Sequence, residues 1–150
     1  MAEYLANQLQ TVALNNAIDF TASIPCNRGC VYHEDGTGNF ILKGKTCNSF
    51  ARYQVTYNGN IAIPTGGAIT PIALAITVNG EIRNASTAVF TPAAVEEFGN
   101  VTSTAIITVP KGCCFNISIR YVDATASDPA VTPSPSIEVV NSNLVITRIA

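Results

Sequence analysis

The chain has 150 residues, which is the length of one domain with a single core. Only 12% of the residues are charged and 47% are hydrophobic, so an intrinsically disordered chain is excluded. The formal net charge is -2 and no run of like charge occurs, which disfavours binding to nucleic acid or to an anionic membrane surface. Valine, isoleucine and threonine are abundant, and their β-branched side chains pack well on sheets. The composition therefore predicts an all-β domain.

The N-terminal segment has an ambiguous pattern. Leu5 and Leu9 are spaced as on one face of a short helix, which would be marginal without a partner surface. We therefore predict an attachment arm over residues 1–11, with Tyr4, Leu5 and Leu9 as its contact residues, followed by one domain over residues 12–150. The alternative is a frayed terminus or an additional edge strand.

The chain start also bears on localisation. It has neither a basic beginning nor an apolar h-region, and no apolar run reaches the length of a membrane span. We expect a soluble protein made in the cytoplasm without a signal peptide.

Short β-like runs separated by turn residues follow one another at the spacing typical of a sandwich or barrel. A first strand is predicted within residues 12–22, and a hairpin over 29–43 turns at the segment Glu34-Asp35-Gly36-Thr37-Gly38. Residues 51–57 alternate between polar and apolar side chains, which predicts one wet face and one buried face. Residues 69–78 are nearly all apolar, which predicts a strand covered on both faces.

The second half of the chain continues this pattern. The turn Asn79-Gly80 ends the apolar strand, and residues 92–98 form the one helical turn that we expect. Two strands, 101–109 and 114–122, are joined by a tight turn. A loop with three X-Pro pairs precedes the closing strands, 137–140 and 144–149.

This order of elements resembles the C1q/TNF-like jelly roll, particularly its short bacterial and phage versions. The resemblance rests on four pieces in the family's order: Tyr53-Gln54-Val55-Thr56-Tyr57, the strand ending in Val78-Asn79-Gly80, the strand ending in Val109-Pro110-Lys111-Gly112, and the closing segment 141–149. It implies a sandwich of about ten strands that assembles as a homotrimer. This chain has no collagen repeat, which favours a stand-alone building block. We expect apolar residues of two strands to line the trimer axis: Ile72, Leu74, Ile76, Leu144 and Ile146.

The residue inventory argues against an enzyme. A metal site of the cupin type needs two or three histidines, and this chain has one, His33, which we predict to be a surface turn residue. The carboxylate pairs Glu34-Asp35 and Glu96-Glu97 are predicted to be solvated. We therefore predict no catalytic residue, no cofactor and no metal site.

The five cysteines are an odd number, which excludes a complete set of disulfides within one chain: Cys26, Cys30, Cys47, Cys113 and Cys114. We predict buried free thiols that act as small hydrophobic residues. The alternatives are a disulfide between Cys26 or Cys30 and Cys47, or a bound metal.

The function predicted from these observations is structural. We expect a non-enzymatic homotrimer that decorates a larger particle, with a phage virion as the first choice and the virion surface as its location. A bacterial or spore surface protein is the alternative, as is a lectin-like module that binds glycans. The lectin hypothesis is weakened because the chain has no Trp and only five Tyr and six Phe.

Overall fold

The computed structural model describes residues 1–24 and 29–150, and these residues form two antiparallel sheets. The described part contains twelve strands: β1 (Ala2–Ala6), β2 (Gln10–Ala13), β3 (Ala22–Ile24), β4 (Val31–His33), β5 (Phe40–Lys43), β6 (Phe50–Ala62), β7 (Ile72–Val78), β8 (Glu81–Ile82), β9 (Ala88–Phe90), β10 (Gly99–Pro110), β11 (Cys114–Val122) and β12 (Ser136–Arg148). A single 3-10 turn, Asn84–Ser86, is the only helical element among the described residues. The predicted all-β sandwich is confirmed, with twelve strands instead of about ten.

The two sheets have different strand orders. Sheet A has the order β10-β6-β12-β1-β3, and β2 also pairs with β12. Sheet B has the order β4-β5-β11-β7-β8, and β9 also pairs with β7. The apolar faces of both sheets meet in one core, which is the general solution for strands that alternate between apolar and polar side chains.

The core is built on the predicted alternation of β6. Tyr53, Val55 and Tyr57 are fully buried, whereas Gln54 is exposed. The Tyr53 hydroxyl donates a hydrogen bond of 2.6 Å to the carbonyl oxygen of Lys43. Buried tyrosines stabilise a core at low cost only when their hydroxyls are satisfied in this way.

The apolar run before the Asn79-Gly80 turn is also confirmed as a buried strand. Every residue of β7 from Ile72 to Thr77 is buried, so both of its faces are covered. Asn79 and Gly80 have φ values of 51° and 85°, as a two-residue turn requires.

The N-terminal segment is part of the sandwich, so the predicted attachment arm is wrong. Strand β1 lies between β12 and β3, and β2 pairs with β12. Ala2, Tyr4 and Ala6 point into the core, while Leu5 is half-buried and Leu9 is 57% exposed. An alternating segment beside a central strand gains a ladder of hydrogen bonds and buries one face, whereas an isolated short helix is marginal because its nucleation is costly.

Three other elements differ from expectation. The predicted first strand ends early, because Asn15 adopts a left-handed conformation and the following residues then pair with β11, Ile18 N–H donating to Ile119 O at 2.8 Å. Residues 92–98 do not form a helical turn. The two closing strands are one strand, β12, with a register shift between Val140 and Asn143.

Candidate functional site

The five residues predicted to line a trimer axis lie inside the sandwich, so this prediction is wrong: Ile72, Leu74, Ile76, Leu144 and Ile146. None of them is more than 1% exposed. Successive side chains of a strand point to opposite faces, and the apolar set of each strand is needed for the core of one chain. An interface between chains must therefore use other residues. The alternate residues of β12 lie on the opposite face of their strand, whereas those of β7 are buried as well.

On the outer face of sheet A, these alternate residues form rows across four strands. One row consists of Glu3, Val145, Thr56 and Thr104, and the next consists of Leu5, Asn143, Asn58 and Thr102. Thr56 and Thr104 share a hydrogen bond of 3.2 Å, and the Thr102 hydroxyl donates to Asn58 Oδ1 at 3.0 Å. The Asn143 amide donates to the Glu3 carboxylate. The polar groups of this face are thus largely satisfied by one another.

Charge is scarce on this face. Its charged residues on β1, β6, β10 and β12 are Glu3, Arg52 and Glu138. Ile106 stands 48% exposed on the edge strand β10. A wide face with few charges and internally paired polar groups costs little to desolvate, which is the property of a protein contact surface.

The outer face of sheet B carries a different row. Tyr32, Ile41 and Asn116 lie side by side on β4, β5 and β11. Tyr32 is 53% exposed, and the Lys43 ammonium lies 5.9 Å from the centre of its ring. The row forms one side of a shallow depression of about 260 Å³. Sequence reasoning missed this row because its three members come from strands that are distant in the chain.

The described cysteines lie at one end of the sandwich. The Gly44 N–H donates to the Cys113 carbonyl at 2.8 Å, so the loop that carries Cys47 packs against the turn before β11. Cys47, Cys113 and Cys114 are exposed free thiols, which contradicts their prediction as buried residues. They lie in a loop, a turn and a strand end, where no core is available to cover them.

The remaining cysteines lie near this end or outside the described residues. Cys30 is buried, and Arg148 Nη1 lies 3.8 Å from its sulfur. A cleft of about 550 Å³ beside it is lined in addition by Lys45, Thr46 and Cys47. Cys26, which was a candidate disulfide partner, is outside the described residues.

His33 is a core residue and not the predicted surface turn residue. Its side chain is 1% exposed and stacks on Phe40 with 4.1 Å between ring centres. The edge of Tyr4 meets the same ring at 4.9 Å. Its Nδ1 lies 2.9 Å from the carbonyl oxygen of Asn39. These contacts give the ring a structural role, since aromatic packing and a backbone partner occupy it.

Burial shifts the pKa of two core tyrosines. Desolvation, followed by the charge of Asp123, raises the pKa of Tyr121 to about 12. Its hydroxyl donates to the Ser134 carbonyl at 2.6 Å. Desolvation also raises the pKa of Tyr57, although the hydrogen bond from Ser142 opposes this. Both hydroxyls therefore stay neutral at ordinary pH.

Other groups with chemical potential are dispersed. Both predicted carboxylate pairs, Glu34-Asp35 and Glu96-Glu97, are exposed as expected. No group of three or more His, Cys, Asp or Glu residues that could hold a metal ion occurs in residues 1–24 and 29–150. Within the same residues, no helix is long and apolar enough to cross a membrane.

Comparison with solved structures defines the fold. The globular domain of zebrafish complement 1qA superposes with a TM-score of 0.59 at 13% identity, over 96% of this chain and 94% of that one. The Eiger TNF structure from S. frugiperda gives a TM-score of 0.62 at 10% identity, over 100% of this chain and 92% of that one. No protein-family model and no curated protein matches the sequence. The chain therefore has the C1q/TNF-like jelly-roll fold, as its order of motifs predicted.

Proposed function

We propose that this protein is a non-enzymatic structural module that assembles as a homotrimer through the outer face of sheet A and decorates the surface of a larger particle. The observation that carries the proposal is the scarcity of charge on that face, together with the exposed Ile106 at its edge. A C1q/TNF-like fold adds support, because the family resemblance implies trimers. The single histidine of the sequence supports a role without catalysis.

The assembly is tested by a charge placed on the proposed interface. Ile106→Asp puts a carboxylate on the outer face of sheet A. Arg83 lies close to it, since its guanidinium donates to the Ile106 carbonyl at 3.0 Å, but taking the new charge out of water at an interface still opposes association. Ile82→Asp is the matched control, because Ile82 is 44% exposed on sheet B and Ile106 is 48% exposed on sheet A. Light scattering should show a trimer for the wild type and for Ile82→Asp, and a monomer for Ile106→Asp. A monomeric wild type, or equal effects of both variants, would refute the interface.

The proposal of a phage particle rests on the low charge and the residue inventory of the chain. A low-charge jelly roll without an enzymatic residue set suits a phage decoration protein, and a bacterial or spore surface protein is the alternative. With β1 inside sheet A, attachment falls to one end of the sandwich and no longer to an N-terminal arm. Immunogold labelling and negative-stain imaging of the producing culture test this part. Label on capsids supports the virion, whereas label on cell envelopes or spores assigns the protein there.

A further inference from the structure

We infer that the outer face of sheet B carries a binding site for a neutral saccharide, built around Tyr32, Ile41 and Asn116. These residues lie in register on three neighbouring strands. Adjacent strands are about 4.8 Å apart, so the row spans about 10 Å. A sugar ring fits on a row of this width, with its apolar C–H face towards the protein.

The aromatic ring supplies the apolar platform. Tyr32 is 53% exposed, so its ring meets solvent instead of packing into the core. The Lys43 ammonium lies 5.9 Å from the centre of the ring, and the ring is still half exposed to solvent. The half-buried Ile41 forms the adjoining floor of the depression. An aromatic face beside an aliphatic side chain binds the C–H face of a pyranose through the same burial that drives other apolar contacts.

Polar groups surround this platform. Glu34, Thr37 and Asn39 line the same depression from the hairpin turn, and Asn116 lines it from β11. Among the described residues, no protein group forms a hydrogen bond with the side-chain amides of Asn39 and Asn116 or with the carboxylate of Glu34. An amide both donates and accepts, and a carboxylate accepts, which matches the paired hydroxyls at the edge of a sugar.

The charges of the depression select the class of saccharide. Glu34 is the carboxylate that lines it, and an acidic sugar would meet this charge directly. Lys43 lies in the neighbouring row, opposite Cys114, and its ammonium is near the Tyr32 ring but is not part of the lining of the depression. The site therefore fits an uncharged hexose or N-acetylhexosamine, and disfavours an acidic or sulfated sugar.

The inference does not depend on the proposed assembly. The row lies on sheet B, and the proposed trimer contact lies on sheet A. If the trimer forms, each assembly presents the site three times, so a weak single site becomes a stronger multivalent one on a glycan-coated surface.

A glycan array followed by titration tests the site. Wild-type protein is applied to an array of neutral, acidic and sulfated glycans, and the best neutral ligand is then titrated as a free sugar by NMR. Tyr32→Ala should weaken binding about tenfold, because the stacking contact is lost. Tyr32→Phe should keep most of the affinity, since the ring remains. Phe98→Ala is the matched control, because Phe98 is an exposed aromatic residue that does not line the depression.

Asn116→Ala tests the polar side of the site and should also weaken binding, while leaving the melting temperature unchanged. The absence of binding to any neutral glycan at millimolar concentration would overturn the inference. Binding that survives both Tyr32→Ala and Asn116→Ala would overturn it as well, as would a preference for acidic glycans. Failure of the proposed trimer gives a different result. If the wild type is not a trimer, Ile106→Asp should give the same array signal as the wild type; if it is a trimer, the variant should give a weaker array signal. In both cases the affinity of the site for free sugar should be the same in the two proteins.

Discussion

Replacing Tyr4 by alanine tests whether the N-terminal strand belongs to the core. Tyr4 is 3% exposed, and its ring lies 4.6 Å from the ring of Phe40 in an edge-to-face arrangement. Removing a buried aromatic side chain costs about 3–5 kcal/mol, because apolar contacts are lost and a cavity remains. A domain of this size has a free energy of unfolding of about 5–15 kcal/mol, so Tyr4→Ala should remove a large fraction of it.

Leu9→Ala is the control in the same segment. Leu9 is 57% exposed, so its substitution should change the free energy of unfolding by less than about 0.5 kcal/mol. Urea unfolding, followed by circular dichroism at one fixed protein concentration, gives both values. Equal and small effects of Tyr4→Ala and Leu9→Ala would mean that the segment is a detachable arm after all, and would refute the placement of β1 in sheet A.

Two further predictions concern other buried tyrosines. Between pH 10 and 12 the wild type should lose stability, because the unfolded chain ionises its tyrosines while folding holds the pKa of Tyr121 near 12. Tyr121→Phe should be less stable than the wild type at neutral pH, since the hydrogen bond to the Ser134 carbonyl is lost. Urea denaturation at several pH values should show that the difference in the free energy of unfolding between the two proteins becomes smaller from pH 10 to 12. A constant difference would contradict the reasoning. Gly59→Ala should destabilise the fold by about 1–3 kcal/mol in urea, because a Cβ there would collide with the Tyr57 hydroxyl and approach Ser142 Oγ at 2.8 Å. A neutral effect would show that Tyr57 shifts freely.

Local patterns predicted the fold well, because each strand carries its own signal. The alternation of β6 placed Tyr53 and Tyr57 on the buried face, and the Asn79-Gly80 pair identified a turn. The continuous apolar run of β7 correctly indicated burial on both faces. In each of these cases the information lies within a few residues of the chain.

The errors concern information that is not local. Leu5 and Leu9 fit a helical spacing, but the place of β1 is determined by the far end of the chain, with which it pairs. The buried position of His33 depends on Phe40 and Tyr4, which surround its ring from two other strands. Choosing the most apolar residues for a trimer axis failed for a related reason. The most apolar side chains of a chain are usually buried in its own core, so they are not available for contacts with another chain.

The exposed face of sheet A and the row on sheet B could not have been found from the sequence. Each combines residues of several strands, and their identity as neighbours depends on register. The polar residues of a single strand, such as the threonines of β10, indicate only that one face of the strand is exposed to solvent. The neighbours of each threonine on the adjacent strands are set by the register of the sheet.

The central position of β12 has a consequence for how the protein folds. In sheet A, β12 separates β10 and β6 on one side from β1 and β3 on the other. During synthesis β12 leaves the ribosome after the eleven other described strands, so the two halves of the sheet have no shared partner until it emerges. Contacts between such distant segments close slowly and leave apolar faces exposed in the meantime. Nascent chains of this protein should therefore depend on chaperones that bind apolar strands, and the loss of β12 should be more damaging than the loss of any edge strand.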